Sequence, residues 1–291
     1  RSGIRAPAWR SCIASYAQGA TAAYRSGMSQ GSLSHQGGCV ERPIRFVHRG
    51  HVVEVAGADT TRTVLDWLRE DARCSGTKEG CAEGDCGACT VRVGEAKAEG
   101  GVAWKTVNAC IQLLPMLDGK ALQTVEDVKR GDCLHPAQQA LVDCHGSQCG
   151  FCTPGFVMSL VQVYERGGVP TRQQLADDLA GNLCRCTGYR PILDAGQRMF
   201  ELPPVASDDA ATASLLATLA NDAPLASTDV AGARCYVPRS LDGLAALREA
   251  LPDARLLAGC TDIGLWVNKL HKALPLLIAT TGVAELTRIE T

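Results

Sequence analysis

Residues 80–89 have the sequence GCAEGDCGAC, and this stretch decides how the first half of the chain folds. Its three cysteines follow the spacing Cys-x₄-Cys-x₂-Cys, and a fourth cysteine, Cys110, follows Cys89 after 20 intervening residues. Because glycines lie between the cysteines, the backbone can turn tightly enough to direct its N–H groups inward. Three thiols on one loop and a fourth on a distant element therefore predict a site around which the surrounding fold is built.

The chemistry of these four thiols favours a 2Fe–2S cluster. Their spacing is the plant-type pattern, and soft thiolates hold iron through a one-electron cycle. Amide hydrogen bonds to the sulfurs help to set the reduction potential of such a cluster. The alternative is structural zinc, which usually draws its cysteines as two short pairs, so a glycine-rich loop of three is atypical of it. The predicted ligands are Cys81, Cys86, Cys89 and Cys110.

The sequence around the loop predicts a small α+β unit of β-grasp type over residues 43–126. Two β-rich runs flank Arg49-Gly50, which is typical of a hairpin, and one amphipathic segment has helical spacing. The predicted strands are 44–47, 51–55, 90–93, 104–107 and 121–125, and the predicted helix is 63–71.

A second group of cysteines lies in a region of helical periodicity, residues 127–200. Four short helices are predicted there, at 135–144, 154–166, 171–180 and 191–200, and they make a compact bundle. Cys149 and Cys152 form a Cys-x₂-Cys pair, and Cys184 and Cys186 form a Cys-x-Cys pair. Both pairs fall at predicted helix ends, where exposed N–H groups favour thiolate. On spacing alone, zinc and a 2Fe–2S cluster both remain open here.

The composition excludes several classes of function. With 15 cysteines, an odd number, and no apolar segment of signal-peptide type, a secreted disulfide framework is disfavoured and a reducing, cytoplasmic location is expected. A net charge of −2 gives no electrostatic basis for binding nucleic acid. No apolar run approaches the ~20 residues of a membrane span, so no membrane association is expected.

Three further regions have their own character. Residues 1–42 are rich in Arg, Ser, Gly and Ala, which superficially matches a transit peptide but predicts a disordered or non-native extension. Residues 201–232 have no strong period and predict a linker with one weak helix. Residues 233–291 contain a predicted helix and two predicted strands, too few elements to bury a core.

The two segments that contain the second group of cysteines resemble motifs of the molybdenum hydroxylase family. They are QCGFCTPG (148–155) and GNLCRCTGYR (181–190), and GTKEGCAEGDCGAC (76–89) matches a third motif. The family includes xanthine dehydrogenases, aldehyde oxidoreductases and carbon monoxide dehydrogenases. The resemblance implies a second 2Fe–2S cluster on Cys149, Cys152, Cys184 and Cys186, next to the molybdopterin of a partner. It implies that the plant-type cluster lies nearer the flavin and that Gln148 touches the partner's molybdenum cofactor.

The segment LLAGCTDI (256–263) resembles the FAD pyrophosphate loop of the same family. A strand that ends in a Gly turn presents backbone amides to phosphate. Cys260 stands where Gly or Asn is commoner, and we expect the FAD site to be incomplete within 233–291. The implied FAD-binding residues are Leu256, Leu257, Ala258, Gly259, Cys260, Thr261, Asp262 and Ile263.

Two clusters followed by a linker and a flavin unit resemble the small subunit of bacterial xanthine dehydrogenases. The resemblance implies an electron-transfer subunit of a hetero-oligomer, with no catalytic residue of its own and no xanthine turnover alone. Electrons would pass from a large molybdenum-cofactor subunit through both clusters to FAD and NAD⁺ while purines are oxidised to urate. The alternatives are a subunit acting on another aldehyde or N-heterocycle, a stand-alone ferredoxin-like carrier, and a zinc-stabilised interaction module.

Overall fold

The computed structural model describes residues 36–205 and 209–289, which form two five-stranded sheets and eight α-helices. The strands are β1 (Val40–Glu41), β2 (Ile44–His48), β3 (His51–Val55), β4 (Thr90–Ala96), β5 (Val102–Asn108), β6 (Ala121–Gln123), β7 (Leu225–Thr228), β8 (Arg234–Val237), β9 (Arg255–Leu257) and β10 (Leu276–Ala279). The helices are α1 (Val64–Glu70), α2 (Pro136–Asp143), α3 (Thr153–Arg166), α4 (Arg172–Asp178), α5 (Arg190–Arg198), α6 (Ala210–Leu219), α7 (Leu241–Ala250) and α8 (Ile263–Asn268).

The first sheet has the strand order β3-β2-β6-β4-β5 and carries α1 on one face. The β2–β3 hairpin turns at Arg49 and Gly50, which both have positive φ, and β6 lies parallel to β2. The side chain of Thr63 accepts a hydrogen bond from the Asp66 N–H and so begins α1. Leu65 and Leu68 are buried against the sheet. The predicted β-grasp unit is confirmed.

Helices α2–α5 form the predicted bundle, and His135 shows how one of them begins. The Nδ1 atom of His135 accepts a hydrogen bond from the Ala137 N–H at 3.1 Å, and the Gln138 side chain accepts one from the His135 N–H. Burial, together with the nearby Arg92 and Arg130 charges, lowers the pKa of His135 to about 4. The imidazole is therefore neutral near pH 7 and can act as the N-cap acceptor.

The buried Arg92 side chain joins the first sheet to the bundle. Its Nη1 donates to Gln123 on β6 at 2.9 Å, and its Nε donates to Gln162 on α3 at 3.0 Å. Its Nη2 pairs with Glu165, and the guanidinium lies 5.0 Å from the centre of the Trp104 ring. Arg92 is 1% exposed, and a buried charge is tolerated only when it is well paired. Arg92 is therefore one of the groups that specify the relative position of the two units.

The second sheet has the order β1-β7-β8-β10-β9 and gathers strands from three regions of the chain. Strand β1 runs parallel to β7, with Val40 opposite Leu225. Residues 36–42, assigned to the N-terminal extension by sequence, are therefore folded, and residues 1–35 lie outside the described residues. Residues 201–232, expected to be a linker, contain α6 and β7. The sequence did not predict these folded regions because β1 pairs with the distant strand β7, and local periodicity does not reveal such a pairing.

The expectation that residues 233–291 bury no core is wrong. Cys235, Leu247, Leu277 and Ile278 are completely buried. The segment supplies β8, β9 and β10, and β1 and β7 from outside it add two more strands to the same sheet. Leu277 also belongs to the same apolar cluster as the core of the first sheet. In residues 36–205 and 209–289, no helix has both the length and the apolar character needed to cross a bilayer.

The contact between Arg42 and Asp118 holds β1 in place. Both Nη atoms of Arg42 donate to the Asp118 carboxylate at 2.7 Å, and the Asp118 side chain is only 2% exposed. Replacing Arg42 with Ala leaves this carboxylate underpaired, which costs about 3 kcal/mol and lowers the unfolding midpoint by about 5–10 °C.

The matched control is Arg198→Ala, which removes a solvent-exposed pair with Glu201 and should leave the unfolding midpoint nearly unchanged. Thermal unfolding followed by circular dichroism measures both variants. Equal midpoints for Arg42→Ala and Arg198→Ala would contradict a folded role for residues 36–42.

Candidate metal centres

The first centre lies on the loop between α1 and β4, with one further thiol directly after β5. The Cys86 N–H donates to the Cys81 sulfur at 3.4 Å, and the two side chains lie within hydrogen-bonding reach of one another. Cys89 and Cys110 form a second pair of the same kind, and both are buried. The structure therefore brings together all four cysteines that the sequence assigned to this site, as two pairs of thiols.

Hydrogen bonding divides each pair into an acidic and a less acidic thiol. The hydrogen bond from Cys110 lowers the pKa of Cys89 to about 7, and its counterpart raises the pKa of Cys110. Burial opposes ionisation of Cys81, but hydrogen bonds from the backbone of Cys86 and Glu83 lower its pKa overall. Inward-facing amide donors of this kind stabilise thiolate, the form that ligates metal.

The second centre lies between helix ends of the bundle. Cys152 is the residue before the first turn of α3, and Cys184 and Cys186 precede α5. Cys149 is paired with Cys186, and Cys152 with Cys184. The four cysteines predicted for this site therefore lie together. Cys149 and Cys186 are exposed, whereas Cys184 is buried.

Polar groups around Cys184 are directed at its sulfur. The Thr187 hydroxyl lies 3.1 Å from this sulfur, and the Thr187 N–H donates to it at 3.5 Å. Burial opposes ionisation, but these contacts lower the pKa of Cys184 overall. Burial, with the nearby Cys184, raises the pKa of Cys152 to about 12. The Tyr189 hydroxyl accepts a hydrogen bond from the Cys184 N–H at 3.1 Å and holds the turn.

The pairing of the thiols fits a binuclear cluster. In a 2Fe–2S cluster with four cysteine ligands each iron takes two thiolates, and each centre here offers two pairs. Within the described parts of the chain, no three His, Cys, Asp or Glu side chains converge closely enough for one metal ion. Glycine also fits the loop of the first centre, since a Cβ on Gly80 would lie 2.8 Å from the Cys86 sulfur. The donor sets therefore suit two 2Fe–2S clusters.

The loops that carry the two centres are in direct backbone contact. The Leu183 N–H donates to the Cys86 carbonyl at 2.9 Å, and the Asn182 side chain donates to the Gly87 carbonyl at 3.0 Å. The Ser159 hydroxyl donates to Asn182 at 2.6 Å and orients its amide. Sequence reasoning included Asn182 only within a motif and did not identify Ser159. The Leu183–Cys86 hydrogen bond therefore joins one cysteine of the first centre to the residue before Cys184 of the second centre.

The loop expected to bind FAD lies where β9 leads into α8. Cys260 is buried and has φ of 63°, so it adopts the left-handed conformation that favours Gly or Asn. Gln148 is exposed beside Cys149, on the side of the second centre. At the far end of α8, the Asn268 side chain donates to the Cys110 carbonyl at 2.7 Å. Sequence reasoning missed Asn268, because no motif marks it.

Three family models match consecutive parts of the chain. Residues 46–113 match a 2Fe-2S iron-sulfur cluster binding domain, and residues 124–197 match a [2Fe-2S] binding domain. Residues 229–291 match the FAD binding domain in molybdopterin dehydrogenase. The chain therefore carries two 2Fe-2S binding domains followed by an FAD-binding domain of the kind found in molybdopterin dehydrogenases.

Curated relatives that match the chain include xanthine dehydrogenases and aldehyde oxidases. A xanthine dehydrogenase of Blastobotrys adeninivorans is 48% identical over 154 residues, which is 52% of this chain and 11% of that protein. A xanthine dehydrogenase of Drosophila subobscura is 34% identical over 285 residues, which is 84% of this chain and 21% of that protein. Aldehyde oxidase 1 of Cavia porcellus is 46% identical over 52% of this chain and 12% of its own length. The chain thus spans between a tenth and a fifth of these relatives.

Two solved structures are similar to part of the chain. The aldehyde oxidoreductase of Desulfovibrio desulfuricans is 32% identical, with 54% of this chain and 17% of that chain covered and a TM-score of 0.49. The quinoline 2-oxidoreductase of Pseudomonas putida 86 is 29% identical, with 60% of this chain and 96% of that chain covered and a TM-score of 0.47.

The contact between the two loops gives a prediction for Gly87. A Cβ on Gly87 would lie 2.3 Å from the Gly181 carbonyl oxygen, and φ of +67° is already unfavourable for other residues. We expect Gly87→Ala to push the loops apart, with lower iron content and an unfolding midpoint reduced by at least ~5 °C. The control is Gly181→Ala, because a Cβ there meets no atom within 4 Å. Iron and acid-labile sulfide assays would refute the prediction if both variants retained full content.

Proposed function

We propose that the chain is the electron-transfer part of a xanthine dehydrogenase. The observation that carries the proposal is the presence of two centres, each with two thiol pairs, whose loops touch through the Leu183–Cys86 hydrogen bond. When bound, a 2Fe–2S cluster accepts and passes on one electron at a time. The chain's own residues hold and orient these groups, and none serves as a general acid, base or nucleophile.

The assignment of ligands follows the geometry of the thiols. The first cluster is held by Cys81, Cys86, Cys89 and Cys110, and the second by Cys149, Cys152, Cys184 and Cys186. FAD phosphate is bound at residues 256–263, where β9 meets α8. We divide the chain into a plant-type domain at 43–126, a helical domain at 127–200 and an FAD-binding segment at 233–291, which β1 and β7 complete.

Exposure supports the order in which the centres act. Cys149 and Cys186 are exposed beside Gln148, and Phe151 and Leu183 leave 47% and 53% of their surface open nearby. This side suits a large molybdenum-cofactor subunit in a cytoplasmic hetero-oligomer. Cys89 and Cys110 are buried on the side of α8. Electrons from purine oxidation would accordingly enter at the second centre, reach the first, and leave through FAD to NAD⁺.

A second candidate is the equivalent part of an aldehyde-oxidising or N-heterocycle-oxidising relative. Over 52% of the chain, the identity to aldehyde oxidase 1 of Cavia porcellus is 46% and the identity to the xanthine dehydrogenase of Blastobotrys adeninivorans is 48%. The xanthine dehydrogenase of Drosophila subobscura matches 84% of the chain, which favours the first candidate. Comparing NAD⁺ reduction by xanthine, an aldehyde and quinoline in the purified complex separates the two.

The two centres should behave as inequivalent 2Fe–2S clusters. Potentials depend on hydrogen bonding and exposure, and the centres differ in both. Low-temperature EPR of the dithionite-reduced full chain should show two rhombic signals that appear at different potentials. A single signal, or zinc bound in stoichiometric amount, would falsify the assignment.

Replacing Cys149 with Ser should interrupt the route from the molybdenum subunit. In the complete complex, NAD⁺ reduction by xanthine should fall at least ~100-fold, because the second cluster loses a ligand. NADH oxidation by a dye, which needs only the flavin side, should be retained. Cys133→Ser is the control, since Cys133 is an exposed cysteine outside both centres. Xanthine turnover near the wild-type rate in Cys149→Ser would exclude the proposed route.

A further inference from the structure

We propose that Asn268 and Lys269 are positioning residues that hold the first centre's loop from the flavin side, and that the charge of Lys269 raises the reduction potential of its cluster. The inference rests on the proposed function and extends it to residues outside every motif. It concerns the end of α8, the short helix whose first residue, Ile263, is also the last residue of the proposed FAD loop.

The contacts between α8 and the first centre are made to backbone carbonyls. The Nδ2 atom of Asn268 donates to the Cys110 carbonyl at 2.7 Å and to the Ala82 carbonyl at 3.0 Å. The Lys269 ammonium donates to the Cys81 carbonyl at 2.5 Å. Two of these three carbonyls belong to proposed cluster ligands, and they come from the two separate segments that supply the ligands. Asn268 therefore ties the loop and the fourth ligand together.

Backbone packing shows that these contacts are built into the fold. A Cβ on Gly264 would lie 2.8 Å from Cβ of Ile111, the residue after Cys110, so α8 approaches this segment as closely as glycine permits. Ile263 and Cys260 are buried in the same apolar cluster as Cys89 and Cys110. One short, packed helix thus begins at the proposed flavin loop and ends at the ligands of the first cluster. It fixes the position of one site relative to the other.

The electrostatic effect has a definite sign. Reduction adds one electron to the cluster and hence one negative charge, so nearby positive charge favours the reduced form. Lys269 places an ammonium on a ligand carbonyl, although Glu83 at 3.5 Å and 42% exposure of the Lys269 side chain weaken its field. Removing this charge should reduce the equilibrium constant for reduction of the first cluster roughly threefold to tenfold.

The test is a redox titration of the full chain in which EPR follows each cluster separately. Lys269→Met should lower the reduction constant of the first cluster threefold to tenfold and leave the second within twofold. Lys269→Arg keeps the charge and should restore the wild-type value. Lys272→Met is the matched control, because it also removes one ammonium from this part of the chain. The Lys272 ammonium lies over the Trp266 ring, 4.4 Å from its centre, whereas that of Lys269 lies on a ligand carbonyl.

A second variant tests the positioning role. Asn268→Leu has nearly the same shape but donates no hydrogen bond, so the first centre should release iron to a chelator several-fold faster while the second does not. Circular dichroism and iron content before the assay establish that each variant is folded. The proposal is overturned if Lys269→Met leaves the first cluster within twofold of wild type, shifts both clusters equally, or is matched by Lys272→Met. Absence of two 2Fe–2S signals from the wild-type chain would instead refute the proposed function.

Discussion

The close approach of two backbone segments, 86–89 and 181–184, constrains the rest of the structure. The Leu183 N–H bonds the Cys86 carbonyl, and no side chain fits between the segments at Gly87. Gly155 is subject to the same restriction, because its Cβ would lie 2.0 Å from the Gly87 carbonyl oxygen. Since packed backbone cannot yield as a flexible side chain can, the β-grasp unit and the bundle have little freedom to separate at this point.

The buried polar contacts elsewhere are consistent with that constraint. Arg92 connects the first sheet to α3, and Asn182 connects the first centre's loop to Ser159 on the same helix. Such groups are costly when they lose a partner, so they disfavour alternative arrangements of the two units more strongly than apolar packing alone. We infer that they contribute chiefly to the specificity of the arrangement, because the apolar core of each unit already supplies burial.

The parts predicted from sequence were those with a local cause. The spacing of the cysteines and the periodicity of the apolar residues predicted the β-grasp unit, the four-helix bundle and the grouping of both sets of four thiols. The second sheet was not predicted, because β1 joins β7 across most of the chain length and each strand is short. The same limitation hid Asn268 and Ser159, whose partners are distant in sequence. A side chain whose hydrogen-bond partner is distant in sequence leaves no pattern in its own neighbourhood.

The two centres differ in what completes their surroundings. The first is covered within the chain, by α8 and by the cluster of apolar side chains that includes Cys89 and Ile263. The second has Cys149 and Cys186 exposed, with Phe151 and Leu183 open beside them. Because exposure and hydrogen bonding set the potential of an iron–sulfur cluster, a covering partner would alter the second centre far more than the first. On the proposed route, the potential of the second centre therefore depends on the whole complex. The potential of the first centre depends mainly on this chain.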